Sequence, residues 1–183
     1  MKIQRLETER LILRAMCLAD VPIIQKYFNN WNIIKNLSLE VPWPYPEDGA
    51  KSFFENVIEP GIKEDKHCHW VITIKENEKE PIGVIHYRLY DCPNGNRGFW
   101  LAEDFWNRGF MTEAVNVAND WIFSNTDLDK IIVCNAVGNI QSKRIKEKTG
   151  CKYLGTESLA HHNGVLFSEK WELTKEAWFE FRK

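Results

Sequence analysis

Apolar and polar positions along this chain change period several times, and each change marks an element. Residues 9–15 (ERLILRA) alternate enough to read as a first strand. Asp20, with Pro22 two residues on, predicts a helix start and a helix running to about Asn29. Val41-Pro42-Trp43-Pro44-Tyr45-Pro46 cannot be regular structure, because proline removes donors and restricts the residue before it. An ordered aromatic loop is expected there. Glu47 to about Ile62 reads as a helix with Phe53, Phe54, Val57 and Ile58 on its buried side and Pro60-Gly61 at its end. His69–Lys75 and Ile82–Leu89 read as two strands of a hairpin around a charged turn at Glu76–Glu80. A turn-rich loop at 91–96 precedes a strand at 97–101.

From Met111 the apolar residues Met111, Ala114, Val115, Ala118 and Ile122 recur at helical spacing. Ile131–Cys134 is a short apolar strand. Asn139 is placed to cap a helix from Ile140 to Lys148, and Gly150 sits where a helix-terminating glycine belongs. Tyr153-Leu154-Gly155 opens another strand, His162-Asn163-Gly164 a hairpin turn, and Leu166–Leu173 the return strand. The strand–helix–strand unit around 97–134 implies a parallel or mixed sheet there. The predicted fold class is therefore α/β: a mixed, mainly antiparallel central sheet with helices on both faces, in one domain over residues 1–183 without repeat or linker.

Composition adds exclusions. A chain of 183 residues that is 44% hydrophobic can fill one core. Its net charge of -2 gives no global basic field, so nucleic acid is not an expected partner. No apolar run is long enough to cross a membrane, and Met1-Lys2-Ile3-Gln4-Arg5 lacks the apolar core of a secretory signal. Five cysteines, an odd number without CxxC spacing, fit a reducing cytoplasm.

The candidate chemistry centres on Phe105–Ala114 (FWNRGFMTEA). A strand, a glycine-bearing turn and a helix start gather unpaired backbone N–H groups at the positive end of a helix dipole. Together they form a seat for phosphate or pyrophosphate. Gly109 would let the backbone approach such a ligand closely. The same pattern also serves plain chain turning. The second candidate is the helix after Asn139, where Lys143, Arg144, Lys146 and Lys148 are either a solvated face or a counter-charge for a phosphorylated ligand. His67-Cys68-His69 share a strand face in alternation, but no second cluster with metal spacing accompanies them, so no metal is expected. His161 and His162 flank a turn and are either exposed turn residues or a base. GxSxG, Walker GK[ST] and GxGxxG are absent from the sequence.

Taken in order, several segments resemble the GNAT N-acetyltransferase superfamily, and more closely its RimJ/RimL branch. Leu6–Arg14 is similar to the branch's opening strand, and Trp43-Pro44-Tyr45 with the following helix to its acceptor side. Pro81–Ile85 resembles "xIGxI", Gly98–Leu101 "GYWL", and Trp106–Ala114 (WNRGFMTEA) "WGRGYATEA". Asn139–Ser142 resembles "NxxS" and Lys148–Cys151 "KLGF". Asn107 departs from the pattern where a glycine is common, and Cys151 replaces an aromatic.

The resemblance implies direct acetyl transfer from acetyl-CoA to an amine, without a covalent enzyme intermediate. The implied cofactor residues are Asn107, Arg108, Gly109, Phe110, Met111 and Thr112 for the pyrophosphate, with Asn139, Ser142 and Lys146 across from them. Backbone of Trp100, Leu101 and Ala102 would hold the pantetheine in a V-shaped opening between strands 98–102 and 131–134, with an N–H near Leu101 or Ala102 on the thioester carbonyl. Ser142 would protonate the leaving thiolate. His161, His162 and Glu103 are the candidate bases, His161 first, beside a water chain with no essential base. Trp43 and Tyr45 are the expected acceptor-side residues. A protein N-terminal α-amine is the expected acceptor. The alternatives are a small-molecule amine acetyltransferase or a non-catalytic acetyl-CoA-binding module. The oligomeric state is left open between monomer and homodimer.

Overall fold

The computed structural model describes residues 3–92 and 95–183, so Pro93 and Asn94 of the expected turn-rich loop lie outside the described residues. Strands β1 (Leu6–Glu7), β2 (Leu11–Ala15), β3 (His67–Ile74), β4 (Asn77–Arg88) and β5 (Arg97–Leu101) form one antiparallel sheet in that order. Strands β6 (Lys130–Ala136), β7 (Lys152–Ser158) and β8 (Phe167–Thr174) form a second, in the order β6-β8-β7. Helices α1 (Val21–Phe28), α2 (Trp31–Ile34), α3 (Gly49–Phe53) and α4 (Glu59–Lys63) lie between β2 and β3. Helix α5 (Phe110–Asn125) joins β5 to β6, α6 (Ile140–Glu147) joins β6 to β7, and α7 (Lys175–Phe181) follows β8.

Helices cover both faces of the larger sheet, as the pattern predicts. On one face Val71 and Val84 pack with Ile24, Ala50, Phe54 and Ile58. On the other, Trp70, Ile72, Ile85 and Tyr87 meet Ala114, Val115, Ala118 and Ile122 of α5, with Trp171 and Trp178 completing the core.

The two sheets join at one residue. The Asn96 N–H donates to the Ile132 carbonyl at 2.6 Å, and the Ile132 N–H donates to Asn96 Oδ1 at 2.8 Å. Asn96 Nδ2 donates to the carbonyls of Arg88 and Tyr90 at 3.1 and 2.9 Å. Beyond this rivet β5 and β6 share no ladder, so the V expected between them has its apex at Asn96. Asn96→Ala removes three side-chain bonds from a buried position, a loss of about 2–3 kcal/mol. Thermal unfolding should then show a midpoint lower by roughly 5–10 °C. An unchanged midpoint would mean that the core alone holds the sheets together.

Several elements differ from expectation. Pro60-Gly61 does not end its helix. The chain widens into a π-turn over Phe54–Ile58, and Pro60 then falls in the first turn of α4, where a missing N–H costs nothing. That widening leaves Phe53 exposed, edge-on to His69, rather than buried. Strand β4 begins at Asn77, so Lys75 and Glu76 alone make the hairpin turn. Asp20 does not cap α1. Its carboxylate accepts the Cys17 N–H at 2.9 Å and both arms of the Arg14 guanidinium. Residues 175–181, unassigned from the pattern, form α7, with Thr174 Oγ1 accepting the Ala177 N–H.

Candidate functional site

The open edge of β5 is half of a cleft of about 700 Å³. The Ala102 N–H donates to Ile82 O at 2.8 Å and the Arg88 N–H to Asn96 O at 2.7 Å, which fixes the phase of the ladder. Residues 98, 100 and 102 thus turn their backbone toward β4, and 97, 99 and 101 turn theirs outward. Ala102 is thereby removed as a donor to a ligand, and Trp100 contributes its ring, which packs on Phe28 at 5.1 Å. The Leu101 N–H faces the cleft, and its carbonyl is taken by Trp106 Nε1 at 2.8 Å.

At the end of β5 the chain forms a nest. Asn107 has φ 60° and Gly109 φ 79°, both left-handed, on either side of Arg108. Such alternation turns successive N–H groups to one side and makes an anion-binding concavity. Asparagine is among the few side chains that tolerate this backbone, which accounts for Asn107 where the resemblance leads one to expect glycine. Among the described residues, the N–H groups of 107–112 reach no protein acceptor. A Cβ at Gly109 would approach only Arg10 Nη2, at 3.4 Å.

The nest is held from a distance. Glu113 accepts the Arg10 backbone N–H at 3.0 Å, and Arg10 Nε and Nη2 at 2.8 and 2.6 Å. It also accepts the Thr8 hydroxyl. Arg10 Nη1 continues to the Arg108 carbonyl at 3.0 Å. Burial raises the Glu113 pKa, but the bonds from Thr8 and Arg10 outweigh it and hold the carboxyl below its usual range.

The opposite wall is α6. Asn139 Oδ1 accepts the Ser142 N–H at 3.2 Å, and Lys146 Nζ donates to Ser142 Oγ at 2.8 Å. Lys35, Arg97, Arg144, Lys146 and Lys148 line the cleft, and no carboxylate does among the described residues. Five cations and a nest of free N–H groups suit a ligand carrying several phosphates.

Comparison with known proteins agrees with this geometry. Residues 10–152 match the acetyltransferase (GNAT) domain family. The chain belongs to the GNAT acetyltransferases. An uncharacterized N-acetyltransferase p20 of Bacillus licheniformis is 28% identical over 130 residues, 70% of this chain and 71% of that protein. The ribosomal-protein-S5-alanine acetyltransferase of Vibrio fischeri shares the fold at TM-score 0.80 and 21% identity, over 96% of this chain and 98% of that one. RimL, a ribosomal L7/L12 α-N-protein acetyltransferase solved with coenzyme A, matches at TM-score 0.78 and 16% identity, over 95% and 99%.

Within this GNAT fold the expected residues fall into three groups. Trp100, Leu101, Asn107, Gly109, Phe110, Met111, Thr112, Asn139, Ser142 and Lys146 line the cleft, whereas Ala102 and Arg108 do not. Arg108 instead turns over the Phe105 ring at 5.6 Å. Lys143 turns away to Glu169 at 3.2 Å.

His161 lies in a smaller adjoining cavity of about 180 Å³, lined also by Asn36, Leu37, Glu40, Cys134 and Asn135. It is 6% exposed, and its Nε2 is 2.9 Å from Ser168 Oγ. Burial lowers its pKa against the opposing pull of the Leu37 and Asn36 carbonyls. The loop it sits on clamps the chain after α2, through a bridge to Ser38 and a bond from the Asn163 N–H to Lys35 O at 2.9 Å. His162 Nε2 is bound to Val41 O at 2.6 Å.

The remaining residues lie outside both cavities. Glu103 is exposed, and the Asn30 and Asn32 amides bond its carboxylate and lower its pKa. Trp43 packs on Trp31 at 5.2 Å and Tyr45 on Phe28 at 5.0 Å. Tyr45 thus braces Phe28, which in turn packs on Trp100. His69 stacks on His86 at 4.9 Å and lies tilted against His67 at 5.7 Å, and burial holds all three pKa values below the usual imidazole range. Sequence reasoning missed Lys35, Arg97, Cys134 and Asn135 as lining residues, and Arg10 and Glu113 as the anchor of the nest.

Proposed function

We propose that this acetyltransferase uses acetyl-CoA to acetylate the α-amine of a protein N-terminus, in a reducing cytoplasm, by direct attack within a ternary complex. The N–H groups of 107–112, with Arg144 and Lys148, would hold the phosphates. The outward N–H groups of Phe99 and Leu101 would hold the pantetheine as an added strand and polarise the thioester carbonyl. Ser142 would donate its proton to the leaving sulfur.

The observation that carries the choice of acceptor is the weakness of the two candidate bases, His161 and Glu103. The larger cleft is lined by no carboxylate among the described residues, and the smaller one by Glu40 alone. His161 is made less basic by burial and is engaged by Ser168. Glu103 is occupied by two amides and held low. An α-amine, with a pKa of about 8, is partly neutral at pH 7 without help, whereas a lysine amine at about 10.4 is not. Water suffices to carry the proton from an α-amine. A polyamine acceptor would want several carboxylates, and only Glu40 is offered.

Two matched peptides test this by mass detection with acetyl-CoA. One has a free N-terminus and blocked lysines, the other a blocked N-terminus and free lysines, and spermine serves as a third acceptor. The expected product is the acetylated N-terminus of the first peptide alone. Acetylation of spermine alone would move the assignment to a small-molecule amine. No product, with acetyl-CoA still raising the melting temperature, would leave a binding module.

A further inference from the structure

Lys146 is 1% exposed, yet its side chain reaches the wall of the cleft. Helix α6 places Ser142 one turn earlier on the same face. The ammonium donates to Ser142 Oγ at 2.8 Å and to the Ser142 carbonyl at 3.4 Å. The charged and titratable groups facing it are Arg97 from β5, Cys134 from β6, Glu169 from β8, and Cys151 after α6. Glu169 is already taken by Asn135 and Lys143, at 3.1 and 3.2 Å. Arg97 is a second buried cation. Its Nη1 donates to Asn119 Oδ1 at 3.1 Å, and its Nε and Nη2 have no hydrogen-bond partner among the described residues. The Phe99 ring lies 5.9 Å from the Arg97 guanidinium and 6.0 Å from Lys146 Nζ.

A methionine or leucine would fill this space without the cost of burying an amine, so packing alone does not account for the lysine. Burial, and then the like charge of Arg97, bring the Lys146 pKa down to about 7. A free thiol titrates near 8.5, so an acid of that strength can protonate a thiolate downhill, where an ordinary lysine could not.

We propose that Lys146 is a positioning residue that supplies, through Ser142, the proton taken up by the departing sulfur of acetyl-CoA. This rests on the seating of acetyl-CoA proposed above. As the carbon–sulfur bond breaks, the sulfur keeps the electron pair and takes the Ser142 hydroxyl proton. Ser142 Oγ takes a proton from Lys146 Nζ in the same motion. Ser142 ends unchanged, and Lys146 ends as a neutral amine that regains its proton from solvent before the next turnover.

The test uses Lys146→Met, which keeps the packing, and Ser142→Ala, which cuts the relay but leaves the lysine. Coenzyme A labelled with ¹³C at the carbon bearing sulfur is bound and titrated by NMR, with no acceptor present. In the wild type the bound thiol is expected to titrate at least one pH unit below free coenzyme A, because a nearby cation favours the thiolate. In Lys146→Met it should return to the free value, whereas Ser142→Ala, which keeps the cation, should leave it low. In turnover, kcat of the wild type should fall on the alkaline side as Lys146 loses its proton. Each variant should lower kcat about 100-fold and flatten that limb, with the KM for acetyl-CoA within about threefold. A bound thiol that titrates alike in the wild type and Lys146→Met would overturn the relay, whatever the acceptor proves to be. A purely structural lysine would change the melting temperature and leave the thiol titration where it was. Failure of the peptide assay with the thiol shift intact would count against the acceptor and not against Lys146.

Discussion

Replacing Glu113 with alanine is expected to raise the KM for acetyl-CoA about thirtyfold while kcat at saturation stays within a few-fold. The Glu113 backbone N–H bonds Gly109 O at 3.1 Å, but among the described residues its carboxylate has no hydrogen bond to residues 107–112. It gathers the Thr8 hydroxyl, the Arg10 backbone N–H and the Arg10 guanidinium, and Arg10 then reaches the Arg108 carbonyl. The Arg10 guanidinium also lies 4.6 Å from the centre of the Phe110 ring. Without the carboxylate, Arg10 loses its three bonds to Glu113 and is left to the Arg108 carbonyl and the Phe110 ring. The turn contains two left-handed residues, Asn107 and Gly109, whose order must then be supplied by the ligand. Ordering two residues costs on the order of 2 kcal/mol, which is a factor of about thirty in affinity. Calorimetric titration with coenzyme A checks the affinity, and amide exchange at 107–112 checks the cause. Arg10→Ala should give a similar loss, and the double variant little more, since both cut one network. Unaltered affinity in Glu113→Ala would show that the nest holds its shape without Arg10.

What could be read from the sequence was what is local. The strand at 97–101, the turn with Gly109 and the helix after it occupy one continuous stretch, so period and turn chemistry were enough to place that junction; that it seats a phosphate remains the proposal made above. Asn139, Ser142 and Lys146 were legible for the same reason, being one cap and one helix face. The order of motifs gave the family, and the family match over 10–152 agrees with it.

The other half of the cleft comes from contacts that no short window contains. Lys35 arrives from the loop after α2, Arg97 by the phase of a ladder, and Cys134 and Asn135 by the divergence of β6 from the Asn96 junction. The Arg10–Glu113 pair spans 103 positions in the chain. Both residues lie in segments that resemble the family pattern, but nothing in the sequence pairs them. Ladder phase also decides between neighbours that look alike: Leu101 offers its N–H to the cleft, and Ala102 spends its own on Ile82. His161 and Glu103 were placed near the chemistry by position in the motif order. Their hydrogen-bond partners, Ser168 for one and two asparagines for the other, leave each a weak base, and no reading of spacing could reveal those partners. The π-turn at 54–58 likewise follows from how Pro60 must be seated, not from any period.

Asp20→Ala is expected to cost about 3 kcal/mol of stability, although Asp20 lies outside the cleft. Asp20 is 2% exposed, just before α1. Its two oxygens accept Arg14 Nη1 and Nη2 at 2.8 and 2.7 Å, and one also accepts the Cys17 N–H. Arg14 is the more exposed partner, with 21% of its side chain accessible, so some screening must be allowed for. Removing one member of such a pair costs about 3 kcal/mol, because the other stays in place without its counter-charge. For a chain of this length that corresponds to a fall in melting temperature of roughly 6–12 °C. The pH dependence has a definite sign. Burial pushes the Asp20 pKa up, but the bonds from Arg14 and Cys17 prevail and hold it below the usual value. A carboxyl with a depressed folded-state pKa contributes its full stability above the unfolded-state value. It loses that stability as pH falls through the folded-state value. The gap in melting temperature between wild type and Asp20→Ala should therefore be constant from pH 8 to about 5 and close progressively below about 4. A gap that stayed open in acid would trace the loss to packing around Ala19 and Val21, and the ion pair would then contribute nothing net.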